Sequence, residues 1–258
     1  MKLCDLAIEE KGQGPSVVFI HGFALDRRMW YPQIKYFSTE FHCVTYDLRG
    51  FGESPVPFGS YNHTDDLLNV LKTLKLDRIH LVGLSLGANI ALSFAAQNAD
   101  RVISLTLASS GLAGHDWGKE ERPPTATDCV ARHQGVEAAR TFWLEHPLFA
   151  SLENNPSAKA EVFREVLDYS GWHWQKDGRQ ARMTPTGPLE KVVVPTLVIS
   201  GKQDLKGYRN ISRKIAATLP NAKFQQIQNA GHMCNLEDAN AFNTALSGIL
   251  HTKGDEIL

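Results

Sequence analysis

A serine stands between two glycines at Gly83-Leu84-Ser85-Leu86-Gly87, directly after the apolar run Ile79-His80-Leu81-Val82 and directly before an alanine-rich stretch from Ala88 to Asn98. The run reads as a strand and the stretch as a helix packed closely on a sheet, so the pentapeptide predicts a strand-to-helix turn. Glycines on either side let strand and helix approach without a side-chain clash, and the serine hydroxyl is held out over the sheet edge. The helix N-terminus beneath it carries unpaired N–H groups and partial positive charge, both suited to a developing oxyanion. The rest of the chain must then supply a layered α/β domain around this turn.

The surrounding pattern meets that demand, because short apolar runs alternate with helical periodicity as in a mostly parallel sheet wrapped by helices. Val17-Val18-Phe19-Ile20 is a strand ending in His21-Gly22, followed by a predicted helix over 28–38 with Trp30, Ile34 and Phe37 on one face. Cys43-Val44-Thr45-Tyr46 is the next strand, and Asp47-Leu48-Arg49-Gly50-Phe51-Gly52-Glu53-Ser54 breaks it with two glycines. Leu67, Leu68, Leu71 and Leu74 mark a helix running to Lys75. Beyond the elbow come strands over 102–108 and 196–199, a helix over 208–219, a strand over 224–227 and a last helix over 237–250. Asn235 is its expected N-cap, with Glu237 and Asp238 in its first turn. Residues 253–258 are expected to fray.

Between the strands at 102–108 and 196–199 the strand signal vanishes for about eighty residues, too many for a plain connection. We read 112–188 as an inserted helical lid, with helices near 128–144 and 158–169, on a core formed by 1–111 and 189–258. It holds four of the five tryptophans, Trp117, Trp143, Trp172 and Trp174; packing of the lid's own small core is their first use, and lining a pocket is the second. With 43% hydrophobic and 21% charged residues the composition is that of a water-soluble globular chain, and a net charge of -1 provides no positive field for nucleic acid or an anionic membrane. Cys4, Cys43, Cys129 and Cys234 form no Cys-x-x-Cys pair, the first residues form no signal peptide, and no segment reaches the roughly 20 apolar residues of a membrane span. The expected location is cytoplasmic. Charge near zero does not oppose self-association, so an oligomer is compatible with the sequence.

A serine hydroxyl is a weak nucleophile near neutral pH and needs a base beside it. Of ten histidines, His232 is placed best: Asn229-Ala230-Gly231-His232 is a loop after the final strand, at the carboxyl edge where Ser85 emerges. His80 lies inside a strand, His251 in the last helix, and His115, His133, His146 and His173 in the insertion. The base in turn needs an anion on its far nitrogen. Asp204, after the strand exit Gly201-Lys202-Gln203, is the candidate, and Asp116, after the strand that precedes the insertion, is its competitor. The order Ser, Asp, His is one of the known triad orders. For the oxyanion, the backbone N–H groups of Phe23 and Leu86 are the expected donors, with His21 bonding the loop in preference to serving as a second base. Leu25, Ser110 and Trp117, beside strand ends, are the expected substrate-pocket walls.

Taken together, His21-Gly22-Phe23, the Asp47 to Ser54 segment, the serine pentapeptide, Gly201-Lys202-Gln203-Asp204 and Ala230-Gly231-His232 resemble the α/β-hydrolase superfamily over nearly the whole length. Within it the chain is similar to lidded single-domain serine hydrolases such as the 3-oxoadipate enol-lactonases, the meta-cleavage product C–C hydrolases and small carboxylesterases. Serine at the elbow separates it from the epoxide hydrolases and haloalkane dehalogenases, which use aspartate there. Ala88 and Ala239 depart from glycine and proline found in many relatives. The resemblance implies a mostly parallel sheet of seven or eight strands, the short N-terminus favouring seven. It also implies cleavage of a small ester or lactone through an acyl-enzyme, with no metal and no cofactor. Two alternatives stay open: a C–C bond hydrolase of a dienoate or a cofactor-free lyase or oxygenase on the same triad, and a ligand-binding receptor with a vestigial site.

Overall fold

The computed structural model describes residues 4–112, 115–117, 125–175 and 188–251, so the expected fraying over 253–258 lies outside the described residues. Seven strands form one sheet: β1 Ile8–Lys11, β2 Ser16–Ile20, β3 His42–Tyr46, β4 Ile79–Leu84, β5 Val102–Ala108, β6 Thr196–Gly201 and β7 Ala222–Ile227. Their spatial order is β1-β3-β2-β4-β5-β6-β7, parallel throughout except for β1, which runs antiparallel to β3. This is the mostly parallel sheet the alternation predicts, with seven strands. Every residue of β4 and β6 is buried, which is why these strands read as continuous apolar runs without alternation.

The helices are α1 Tyr31–Phe37, α2 His63–Leu74, α3 Leu86–Gln97, α4 Thr127–Gln134, α5 Val136–Leu144, α6 Pro156–Asp168, α7 Lys206–Thr218, α8 Cys234–Glu237 and α9 Ala239–Leu250. α1 packs on α9 and α2 on α3, while α7 lies on β6 and β7. Between β5 and β6 the described residues form helices and turns and no strand. The helix expected over 128–144 is two helices, because Gly135 adopts φ +92° and breaks the chain between α4 and α5. No helix among the described residues is long and apolar enough to cross a membrane.

Two helix starts differ from expectation. The helix predicted from residue 28 begins with a 3₁₀ turn over Arg27–Trp30, capped by Asp26, whose carboxylate accepts from Arg28 N at 2.9 Å. The last helix is not capped by Asn235. That side chain is drawn inside, where its Nδ2 donates to Met29 O at 3.0 Å, and Asp238 caps α9 by accepting from Ala241 N at 3.1 Å. Asn235 falls inside α8, so the cap of α9 passes to Asp238, the residue between the two helices.

The strand order positions the site. From β2 the chain goes to β3 on one side and then to β4 on the other, so the carboxyl ends of β2 and β4 open a crevice where the order reverses. Ile20 pairs with Gly83 and Leu84 with Ala108, which levels the loops after β2, β4 and β5 at one rim.

Candidate active site

Ser85 occupies the turn between β4 and α3 with φ 53° and ψ -108°, a conformation few non-glycine residues adopt. Its N–H donates to Ala108 O at 2.9 Å, and its carbonyl accepts from Asn89 N at 3.1 Å, so backbone on both sides holds the strained residue. The flanking glycines are needed for approach: a Cβ on Gly83 would stand 2.3 Å from Gly87 O, and one on Gly87 would stand 2.1 Å from Ile20 O. Leu86 opens α3, so its N–H is among those without an intrahelical partner.

His232 and Asp204 meet. The imidazole Nδ1 lies 3.0 Å from both carboxylate oxygens of Asp204, and both side chains are buried. Asp204 Oδ1 also accepts from Leu205 N at 2.7 Å, which fixes the carboxylate at the start of α7. Close packing sets the pair's separation, since a Cβ on Gly201 would stand 2.0 Å from Gly231 O. The competing Asp116 is exposed, whereas Asp204 is buried against His232.

The loop that carries His232 is held by Glu237, which by sequence is only a first-turn acid of the last helix and which instead ends α8. Glu237 accepts from Gly231 N at 2.9 Å and from Met233 N at 3.0 Å. Burial pushes its carboxyl pKa up, while these bonds and one from the Ser151 side chain work the other way. In the loop after β2, His21 is fully buried. Its Nε2 accepts from Leu48 N at 2.8 Å and its Nδ1 donates to Gly22 O at 2.7 Å. Burial lowers its pKa, so it remains a neutral latch on the Gly22-Phe23 loop.

Ser85, Leu86, Phe23 and His232 line one cavity of about 350 Å³, with Trp143, Leu148 and Trp174 from the segment between β5 and β6 as its apolar roof. Phe23 is the hub of this wall, its ring 5.2 Å from Trp143 and 5.4 Å from Phe51. Trp143 and Trp174 thus pack on each other, at 5.8 Å, and also face the cavity. Trp172 lies instead against His173.

The three expected pocket walls are placed differently. Leu25 turns inward beside Asp26 and lines a neighbouring cavity of about 230 Å³. Ser110 is fully buried with its hydroxyl bonded to Gly111 O at 2.7 Å. Trp117 stands one layer back, its ring 5.3 Å from Tyr208. A position beside a strand end does not say on which side of the loop a side chain falls. Thr125, Thr127 and Asp128 are cavity residues that the sequence did not single out.

Tyr208 is the largest omission. It lines the same cavity, and its ring sits 4.3 Å from that of His232 at 56°. Burial, and then the Asp204 charge, holds the pKa of its phenol well above the ordinary value. Tyr208, Ile211 and Ile215 are all buried on one face of α7, so by spacing the tyrosine reads as one more core residue. Among the described residues no three histidine, cysteine or acidic side chains converge as metal ligands would.

A hydroxyl on a strained elbow, an imidazole oriented by a carboxylate and a helix N-terminus at one cavity suit nucleophilic attack on a carbonyl carbon. The 3-oxoadipate enol-lactonase 1 of Acinetobacter baylyi is 24% identical over 263 residues, spanning 96% of this chain and 93% of that protein. The crystal structure of the enol-lactonase of Burkholderia xenovorans LB400 superposes with a TM-score of 0.82 at 26% identity, covering 96% of each chain. A thermophilic esterase from Thermogutta terrifontis gives 0.79 at 28% identity, covering 95% of this chain and 92% of its own. The alpha/beta hydrolase family model matches residues 17–245, and the chain belongs to that family.

Proposed function

We propose that the chain is a serine hydrolase of small carboxylic esters or lactones, with Ser85 as nucleophile, His232 as general base and acid, and Asp204 as the anion that orients the histidine. The observation that carries this reading is the pairing of His232 Nδ1 with both Asp204 oxygens beside a cavity shared with Ser85. With Nδ1 committed to the carboxylate, Nε2 is the nitrogen left for the hydroxyl. Ser85 Oγ attacks the acyl carbon as its proton passes to His232 Nε2. The N–H groups of Phe23 and Leu86 receive the oxyanion, and the imidazolium protonates the departing oxygen. Water then repeats the sequence on the acyl-enzyme, and no step requires a cofactor.

The segment 112–188 acts as a lid over a core of 1–111 and 189–258, and its Trp143, Leu148 and Trp174 set a preference for a substrate of moderate hydrophobicity. Enol-lactonase and esterase relatives favour the same bond class.

A fluorophosphonate label followed by peptide mapping tests the nucleophile: label on Ser85, abolished in Ser85→Ala, is the expected result. A panel of p-nitrophenyl esters assayed beside a ring-cleavage dienoate tests the bond. Marked preference for the dienoate replaces ester cleavage with C–C hydrolysis, and slow single-turnover acylation with tight binding replaces the enzyme with a receptor.

A further inference from the structure

Tyr208 lies where the proposed mechanism has no role for it. It is buried in the first turns of α7, one helical turn beyond the loop carrying Asp204, and its ring covers one face of the His232 imidazole at 4.3 Å. Trp117 closes the far edge of the ring, edge-on at 5.3 Å. The ring is therefore fixed on two sides, and the residue lines the cavity together with Ser85. A tyrosine needed only as packing would serve as phenylalanine, and a buried hydroxyl is costly to place unless it is hydrogen-bonded.

We propose that Tyr208 is a further catalytic residue that donates a hydrogen bond to the leaving oxygen of the substrate, selecting esters and lactones over substrates that depart through carbon. This rests on the serine-hydrolase reading of the same site. In the free enzyme the phenol lies on the cavity that it shares with Ser85. Attack joins Ser85 Oγ to the acyl carbon, the serine proton moves to His232 Nε2, and the carbonyl π electrons pass to the oxyanion. This draws Oγ into the substrate and leaves the phenol facing the alkoxy oxygen, to which it donates. When the C–O bond breaks, its electron pair stays on that oxygen, which takes its proton from His232; Tyr208 keeps its own proton throughout. Burial, and then the neighbouring Asp204 charge, favours the neutral phenol, the form that donates. In deacylation the attacking water occupies the place of the departed alcohol and receives the same bond.

The test is a series of esters of one acid with p-nitrophenyl, phenyl, benzyl and ethyl leaving groups, assayed on the wild type and on Tyr208→Phe. Phenylalanine keeps the ring on His232 and removes only the donor. A leaving group that is already a stable anion needs little help, whereas a developing alkoxide needs much. The expected loss in kcat/KM is thus about 30-fold for the ethyl ester and less than about 3-fold for the p-nitrophenyl ester. The dependence on leaving-group pKa steepens accordingly. A uniform loss across the series, as from a packing defect, overturns the proposal, and so does no loss at all. The rate of fluorophosphonate labelling at Ser85 separates the two levels. A wild type that does not label removes the serine-hydrolase reading and this role with it. Normal labelling in both proteins with an unchanged slope removes the role of Tyr208 alone.

Discussion

Asp204 accepts from His232 through both oxygens and from Leu205 N, so its charge and its shape are both in use. Asp204→Asn preserves the shape but places an NH₂ where an acceptor stood, which turns the imidazole to its other tautomer and leaves Ser85 without a base. The expected result is a fall in kcat on the order of 10⁴ with the thermal midpoint nearly unchanged. A fall below tenfold assigns the orienting role elsewhere. Glu237 predicts the opposite division between activity and stability. Glu237→Ala orphans the buried N–H groups of Gly231 and Met233, at about 1–3 kcal/mol each. Urea unfolding of this variant is expected to lose several kcal/mol, about the sum of those two costs. Its residual activity should exceed that of Asp204→Asn, because Asp204 still orients the imidazole. The reverse ranking would show that the carboxylate of Glu237 acts in the chemistry and not on the loop.

At the scale of elements, the elbow and the Asp204 exit depend on backbone contacts that only glycine permits. Gly201→Ala forces a Cβ to within 2.0 Å of Gly231 O, parting β6 from the His232 loop, so it is expected to reduce folded yield and activity together. An unchanged melting temperature would show that the two loops are free to separate. Such places were legible because a glycine beside a strand end is visible in the sequence. The strands were legible because their apolar runs are continuous where helices cover the sheet. Asn235 was misread because the same side chain serves as a cap or as an internal amide partner, and only Met29 and Gln33, brought near by the fold, decide between them. Tyr208 was hidden by the regularity of α7, in which a residue at the catalytic rim and a core residue obey one spacing.

The docking of α6 was also beyond the sequence. Glu165 is buried, with Oε2 accepting from Asp26 N at 3.0 Å, while Arg28 joins Asp26 to Asp168. Burial, and then the charge of Asp26, pushes the Glu165 pKa well above its ordinary value. A carboxyl with a raised folded pKa stabilises the fold below its unfolded value, and that contribution is lost as pH rises through the folded one. Glu165→Gln keeps the acceptor and removes the titration. It should melt above the wild type at pH 8, the gap closing toward pH 5, at about 1.4 kcal/mol for each unit of raised pKa. A gap independent of pH would mean that the carboxylate is neutralised by Arg28 in the folded chain.

The whole molecule carries a second and larger pH dependence, because histidines are buried through the body of the fold and not gathered at the site. His21 follows β2, His63 begins α2 and His80 lies within β4, all nearly inaccessible, and His173 sits between Tyr61 and Tyr169 with its ring stacked on Phe51. Burial is the main cause in each case, pushing His63 and His173 down to about 3, His80 to about 4, and His21 in the same direction. An unfolded histidine titrates near about 6.5, so above that pH both states are neutral and stability is complete. As pH falls from there toward the folded values, the unfolded chain takes up protons that the folded chain refuses. By pH 5 each fully buried histidine removes about 2 kcal/mol, and the three most buried together remove about 6 kcal/mol. Net stabilities of folded domains are about 5–15 kcal/mol, so this is a large share of the total. Glu165 and Glu237, with raised pKa values, offset part of the loss, since in the same range they bind protons more readily folded than unfolded. Urea unfolding followed between pH 7 and 5 should therefore show stability falling with acid, with a limiting slope of about 4 kcal/mol per pH unit if three histidines dominate. His80→Asn, which leaves a partner for Ser104 Oγ, should reduce that slope by about one proton. A stability that is flat or rises toward pH 5 would mean that these rings are protonated inside the fold, against the burial that holds them neutral.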